Sequence, residues 1–385
     1  MPSQESPIQP LSETRVLDLS QNLAGPYAAQ ILADLGADVI KIEPPGGDPA
    51  RAWGPPFIGG QSPLFQAANR NKRSLCLDLK TPADRHTLHE MAADCDVFLQ
   101  AYRMGVPERL GVDYPTIRAI RPEVIYASVT AFGTEGPLRE APGYDPLLQA
   151  RSGLMSITGE PDGPPSRVGA SVVDLGTGMW TAIGILGALR ERDRTGCGCH
   201  VQSSLLDTSL AWMSYHLTSF LATGTVPGRQ GTSIAMIAPY QAFPCADGEV
   251  MIAAGNDGIF QRLCEALDLP MATDPDFGTN EARVAHRPRL VAKLAEATRP
   301  HTVAELIDLL GRHRVPCAPI HDVAAAVSDP QARSTGMLRP AHHPEADSYV
   351  DVALPIRWDG QRAPFRYPPP GVDGHRNELL STEED

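Results

Sequence analysis

Asp174 stands between an apolar run, Val168-Gly169-Ala170-Ser171-Val172-Val173, and the glycines Gly176 and Gly178. Downstream, Trp180, Ile183, Leu186 and Leu189 recur at helical spacing, and Arg190 and Arg192 precede Gly196. The carboxylate therefore falls where a strand-like run gives way to the start of a helix. Two uses fit that place. It caps the helix, accepting backbone N–H bonds and gaining from the helix dipole, or it is held there as a reactive group. Local pattern leaves both open.

Other residue types that could do chemistry are fewer. Cys197-Gly198-Cys199-His200 is the only cysteine cluster. Zinc sites favour two to four residues between paired cysteines and need a second ligand pair, while haem attachment needs two intervening residues. Neither pattern is met, so no metal is expected, and the segment reads as a turn entering a short element. Ala254-Gly255-Asn256-Asp257-Gly258 follows a strand-like stretch and opens a helix, a place where backbone N–H groups point outward. An ordinary strand-to-helix turn explains it equally.

These residues need elements to position them. Strand-like and helical segments alternate through the first half: Val16–Leu19, a helix over about Tyr27–Leu35, then Val39–Glu43, with further strands at Leu75–Leu79, Val97–Gln100 and Val124–Val129. Helical stretches at Ala83–Ala93 and Tyr114–Ile120 fall between them. Units of that length imply parallel pairing and a Rossmann-like open α/β sheet. The first turn, Ser20 to Gly25, lacks the G-x-G-x-x-G that admits a pyrophosphate, which disfavours a dinucleotide dehydrogenase. A long amphipathic helix over Ser204–Leu221 leads into the breaker-rich Gly224-Thr225-Val226-Pro227-Gly228. The expected organisation is a large domain over 1–203, a linker over 204–228, a smaller α+β domain over 229–325, and a return segment over 326–385 that wraps back over the large domain.

At 385 residues and 42% hydrophobic the chain can bury a large core. A formal charge of -13 argues against a nucleic-acid surface or an anionic membrane as partner. No run of about 18 apolar residues stands out, and Met1–Ser12 lacks a signal pattern. Seven scattered cysteines, an odd number, suit a reducing compartment, so a cytoplasmic protein is expected.

The chain resembles the class III CoA-transferases, the group of formyl-CoA and carnitine CoA-transferases with α-methylacyl-CoA racemase as a divergent branch. The resemblance rests on Leu35-Gly36-Ala37-Asp38-Val39-Ile40-Lys41-Ile42-Glu43-Pro44, Gly47-Asp48-Pro49-Ala50-Arg51, Asn69-Arg70-Asn71-Lys72-Arg73-Ser74, Arg109-Leu110-Gly111, Gly143-Tyr144-Asp145 and Ser152-Gly153-Leu154-Met155, all in family order, with weaker echoes at Val315-Pro316-Cys317-Ala318-Pro319 and Gly374-His375. It implies that Asp174 is the nucleophile. An aspartate attacks a donor acyl-CoA to give a mixed anhydride and CoA thiolate, the thiolate returns to leave an aspartyl-CoA thioester, and an acceptor acid reverses the exchange. Gly176 beside the nucleophile, and Gly255 and Gly258 in the second loop, are then expected to supply oxyanion donors.

The resemblance also implies that Leu77, Lys80, Tyr102, Arg109, Leu110 and Tyr144 contact coenzyme A, with Lys72 and Arg103 as nearby cations, and that Leu23 and Gln149 line the acyl pocket. Formyl-CoA transferases carry glutamine where this chain has Leu23 and asparagine where it has Ala101, so the acceptor is expected to be an acid with a carbon skeleton rather than formate. Arg51 and Arg70 could meet a second carboxylate or serve as structural ion pairs. Two chains interlocked as a homodimer are implied as well. An acyl-CoA racemase of the same fold and a noncatalytic CoA-binding protein are the alternatives. Against the racemase, Tyr144 stands where that branch has a histidine base, and a phenol is mostly protonated at neutral pH.

Overall fold

The computed structural model describes residues 8–381. The first seven residues, part of the stretch searched for a signal, lie outside the described residues. The chain divides into two compact units, one comprising Met1–Leu154, Val168–Thr218 and Pro330–Asp385, the other Met155–Arg167 and Ser219–Asp329.

The larger unit is built on six parallel strands, β1 (Arg15–Asp18), β2 (Asp38–Glu43), β3 (Lys72–Cys76), β4 (Val97–Gln100), β5 (Ile125–Thr130) and β6 (Cys199–Ser204), in the order β3-β2-β1-β4-β5-β6. The central strands are apolar almost throughout because both faces are covered. Successive side chains point to opposite faces, so Val16, Val97, Leu99, Ile125 and Ala127 join one core with Ala28, Leu32 and Ile185, while Leu17, Phe98 and Tyr126 join the other with Leu88 and Ile117. The expected strand over Leu75–Leu79 lies earlier, at Lys72–Cys76. Leu77 N still donates to Glu43 O, but Leu77 and Leu79 lie beyond the strand and tuck into the second core where the chain turns.

Strand order reverses between β1 and β4, and in open sheets of this kind ligands bind at the carboxyl ends of the strands at that switch. The loop after β1 is held there by buried charge. Lys41 Nζ donates to Ser20 O at 2.9 Å and pairs with Asp48; Lys72 Nζ donates to Pro26 O at 2.8 Å and pairs with Asp18. Both lysines are fully buried. Burial lowers the Lys72 pKa to about 8 against the opposing pull of Asp18. Lys72 is therefore part of the loop's scaffold and has no surface to offer CoA. Arg51 and Arg70 are likewise spent on Glu43 and Asp34, which settles them as structural ion pairs.

The helix Val172–Thr195 crosses from β5 toward β6. It has the length and apolar composition of a membrane span, which the search for an apolar run did not pick out. It is packed along the helix Ala24–Asp34, burying Val173, Ala182, Ile185 and Leu189 in the first core. Close approach is what Gly178 permits: a Cβ there would sit 2.6 Å from Ala24 O.

The amphipathic stretch after β6 is two helices, Leu205–Trp212 and Ser214–Thr223, rather than one. The first ends where Met213 N–H is shared between Ser209 O and Leu210 O, a tightened last turn. The return segment is more ordered than its composition suggests. It forms the antiparallel pair Leu338–His343 and Ala346–Val352, then runs along the β3 edge, where His375 N donates to Ser74 O and Arg366 donates to Ala37 O.

The smaller unit holds an antiparallel sheet of β7 (Tyr240–Pro244), β8 (Glu249–Ala253) and β9 (Cys317–Pro319). Phe243, Val250 and Ile252 pack there against Phe260, Leu290, Leu294, Leu306 and Leu310 from its helices.

Candidate active site

Asp174 is the third residue of its helix, and Ser171 occupies the N-cap position. The apolar run before it is not a strand: helix begins at Val172. Asp174 is thus not the cap. That work falls to another carboxylate, Asp145, which opens the helix Asp145–Arg151. Asp145 Oδ2 accepts from Val173 N at 2.9 Å and from Asp174 N at 3.3 Å, while Oδ1 accepts from Gln149 Nε2 at 2.6 Å. Gln149 Oε1 in turn accepts from Val168 N at 2.9 Å. Asp145 and Gln149 are both buried.

Two carboxylates therefore share the start of one helix, in different environments. Asp145 accepts three N–H bonds. Asp174 is half-buried and has no such set; burial, reinforced by the Asp145 charge, pushes its pKa up to about 7. A carboxylate of that basicity, still reaching the surface, is suited to act as a nucleophile and is half ionised near neutrality.

The amide groups of this helix start are already engaged. Val172 N donates to Ala170 O and Leu175 N to Ser171 O, and the two between them, Val173 N and Asp174 N, go to Asp145. Gly176 lies in the body of the helix, where its N–H belongs to the helical ladder. The expectation of Gly176 as an oxyanion donor gives way to packing: a Cβ there would meet Trp212 Cζ2 at 2.5 Å, and Trp212 Nε1 donates to Val172 O at 3.3 Å.

The remaining expected residues fall into groups. Leu23 and Tyr102 follow β1 and β4, on either side of the switch in strand order; Leu23 is buried, Tyr102 half-buried against the second core. Leu110 packs on the same core, whereas Lys80, Arg103 and Arg109 are exposed. Leu77 is buried beneath them. Tyr144, 48% exposed, precedes Asp145 and lies 6.4 Å from the ring of Trp53. Gln149 does not face a pocket; it is fully buried with both ends of its amide engaged. In the smaller unit Gly255 is exposed with nothing within 4 Å of a Cβ position, and Gly258 lies in the first turn of the helix Asp257–Ala266, capped by Asn256.

Sequence reasoning used Asp145 only as a landmark. Its Asp-Pro start reads as the opening of its own helix, which conceals that the carboxylate serves a second helix 28 residues on. The available signal was the Asp145–Gln149 spacing of four, which puts both on one helix face.

The chain matches the family model described as CoA-transferase family III over residues 11–376. It is 37% identical over 385 residues to a succinate–glutarate CoA-transferase of Agrobacterium fabrum, covering 97% of this chain and 96% of that protein. It is 42% identical over 335 residues to an acetyl-CoA:oxalate CoA-transferase of Acetobacter aceti, covering 86% of each. Among solved structures, a CAIB/BAIF family protein from Brucella suis aligns with a TM-score of 0.85 at 38% identity, over 98% of this chain and 100% of that one. Similarity that runs the length of the sheet, the Asp174 helix and the smaller unit together makes the chain a member of CoA-transferase family III, a class III CoA-transferase.

Proposed function

We propose that the chain moves CoA from a dicarboxylyl-CoA donor such as succinyl-CoA to a small dicarboxylic acid, through an aspartyl-CoA thioester on Asp174. The raised pKa of a half-buried Asp174 beside Asp145 carries this reading. An ionised Asp174 is held in a place that disfavours its charge. Attack on the thioester carbonyl forms a C–O bond and releases CoA thiolate. The charge leaves Asp174, and both the burial penalty and the repulsion from Asp145 are relieved. The thiolate then attacks the aspartyl carbonyl and expels the donor acid as carboxylate, leaving the thioester on Asp174. An incoming carboxylate repeats the steps in reverse. No net oxidation or hydrolysis occurs.

CoA would lie over the switch between β1 and β4, with Arg109 and Lys80 placed for its phosphates and Tyr102 and Leu110 for its apolar and ring surfaces. Tyr144 would stand beside the acyl group. A dicarboxylic acceptor is supported by the succinate, glutarate and oxalate in the names of the similar proteins. The test is a panel of acids with succinyl-CoA, followed by mass spectrometry of the thioesters. Glutarate or oxalate should be thioesterified at least about tenfold faster than formate or acetate. Preference for a monocarboxylate would overturn the acceptor class; α-deuteration of a 2-methylacyl-CoA without transfer would overturn the transfer reaction itself.

An interlocked homodimer in the cytoplasm completes the reading. Trp180 and Ile183, 45% and 54% exposed on the Asp174 helix, stand beside Trp212, an apolar face of the kind a subunit contact covers. Separating linked chains requires partial unfolding, so sedimentation should show no folded monomer on dilution. A stable monomer at low concentration would contradict interlocking. The seven free cysteines fit a reducing compartment, and cell fractionation that finds the protein outside the cytoplasm would contradict that placement.

A further inference from the structure

We propose that Gln100, Ser128 and His200 form a positioning chain for the loop Tyr102–Leu110, acting on CoA affinity through the backbone N–H of Tyr102; this rests on the reading of that loop as a CoA site. The three residues come from adjacent strands, β4, β5 and β6, with Gln100 and Ser128 in register. Tyr102 N donates to Gln100 Oε1 at 2.7 Å. That bond fixes the amide, so Gln100 Nε2 faces Ser128 and donates to its Oγ at 2.9 Å. Ser128 Oγ in turn lies 2.7 Å from His200 Nε2, which closes the chain. Burial lowers the His200 pKa, and Gln202 Nε2 lies 3.3 Å from its Nδ1. The rings of Tyr114 and Tyr126, 4.8 and 5.1 Å from His200, hold it in place.

The loop needs such an anchor. Its helix, Val106–Leu110, has five residues and is bounded by Gly105 and Gly111, both at positive φ. A single turn has little stability of its own, and two left-handed glycines at its ends leave its position to outside contacts. At the far end Tyr126 Oη donates to Val112 O at 2.7 Å, and His89 Nε2 lies 2.7 Å from Gly111 O. The near end has the Gln100 contact. Tyr126 stacks on Phe98 and lies against His200, so both ends of the loop are tied to one buried cluster beneath it. None of these residues is part of the Asp174 and Asp145 arrangement.

The test is the affinity of the full-length protein for free CoA by calorimetry, paired with steady-state kinetics. Gln100→Met removes the acceptor for Tyr102 N–H at similar volume, and should raise the CoA Kd and the KM for the acyl-CoA about tenfold, the effect of one lost buried bond. It should leave kcat and the KM for the acceptor acid within about twofold. Gln100→Glu keeps an acceptor for Tyr102 and offers its second oxygen to the Ser128 hydroxyl, so it should restore affinity to within about threefold of wild type. Ser128→Ala frees the Gln100 amide and should fall between them. Arg109→Ala separates the two levels of the argument. If wild type does not bind CoA, or Arg109→Ala binds it as well as wild type, the loop is not the CoA site. If Arg109→Ala weakens binding while Gln100→Met and Ser128→Ala do not, the positioning chain alone is overturned. A Gln100→Met variant that loses kcat as much as affinity, or that Gln100→Glu fails to rescue, also overturns it, since a general structural fault would act that way.

Discussion

Asp174→Ala and Asp174→Asn are each expected to lower turnover by about 10,000-fold or more, the scale seen when a covalent nucleophile is removed. CoA binding should survive, because Lys80, Tyr102 and Arg109 lie in segments after β3 and β4, apart in sequence from the Asp174 helix. The same substitution should make the protein more stable at pH 8. Asp174 has its folded pKa raised from 3.8 to about 7 by burial and then by Asp145. Its contribution is thus fully present below about pH 4 and is lost as pH rises through 7. A shift of that size is worth at most about 4 kcal/mol. For a half-exposed group, solvent screening reduces it to about 1–2 kcal/mol. Asparagine removes the penalty, so the gain over wild type should appear at pH 8 and vanish toward pH 4 in denaturant titrations. Trapping with hydroxylamine after donor thioester should modify Asp174 in the wild type. An Asp174→Ala variant with normal transfer would sink the covalent mechanism.

The parallel sheet was legible because its pattern is local and repeated. Val16–Leu19, Val39–Glu43, Val97–Gln100 and Val124–Val129 are short apolar runs separated by helix-length segments, and all four lie in the sheet within a residue or two. Where the reading slipped, a second apolar demand was the reason. Leu77 and Leu79 extend the apolar run of β3 because a turn is buried there. The run before Asp174 is apolar partly because Val173 enters the first core from the opening turn of a helix, so it mimics a strand. Such cases share a cause: burial sets residue type whatever the backbone does.

The site was legible to a lesser depth. Asp174 stood out because a carboxylate beside two glycines at a helix start is uncommon chemistry, and the family resemblance implies a role for it. The groups that hold the elements around the site come from far along the chain: Asp145 binds the start of the Asp174 helix 28 residues on. Lys41 and Lys72 bind the carbonyls of the β1 loop from two other strands, and in sequence a buried lysine looks like any other. The glycines show the same limit from the other side. Gly176 reads as an oxyanion donor by position, and only its packed neighbour Trp212 reveals that close contact requires it, as Ala24 does for Gly178.

Asp145→Asn should lower kcat about a hundredfold and move the acid limb of the pH–rate profile to lower pH. Asp145 accepts on one oxygen from Val173 N and Asp174 N and on the other from Gln149 Nε2. Asparagine has one acceptor where aspartate has two. With its carbonyl toward the helix, its amide donors face those of Gln149; Gln149 can turn over only by presenting donors to Val168 N, which now bonds to its oxygen. Whichever way the two amides settle, one donor is left facing another, and the start of the Asp174 helix shifts to relieve it. A displacement of about 1 Å at a nucleophile is worth about a hundredfold in rate. The charge matters separately. Asp174 is raised first by burial and then by the Asp145 charge, so without that charge its pKa should fall but remain above that of an ordinary aspartate. Gln149→Leu keeps the Asp145 charge and two of the three bonds Asp145 accepts, losing the Gln149 bonds to Asp145 and Val168 N, so it should lower kcat less and leave the acid limb in place. An Asp145→Asn enzyme whose acid limb coincides with wild type would show that burial alone sets the basicity of Asp174, and that Asp145 serves the helix start only as a hydrogen-bond acceptor.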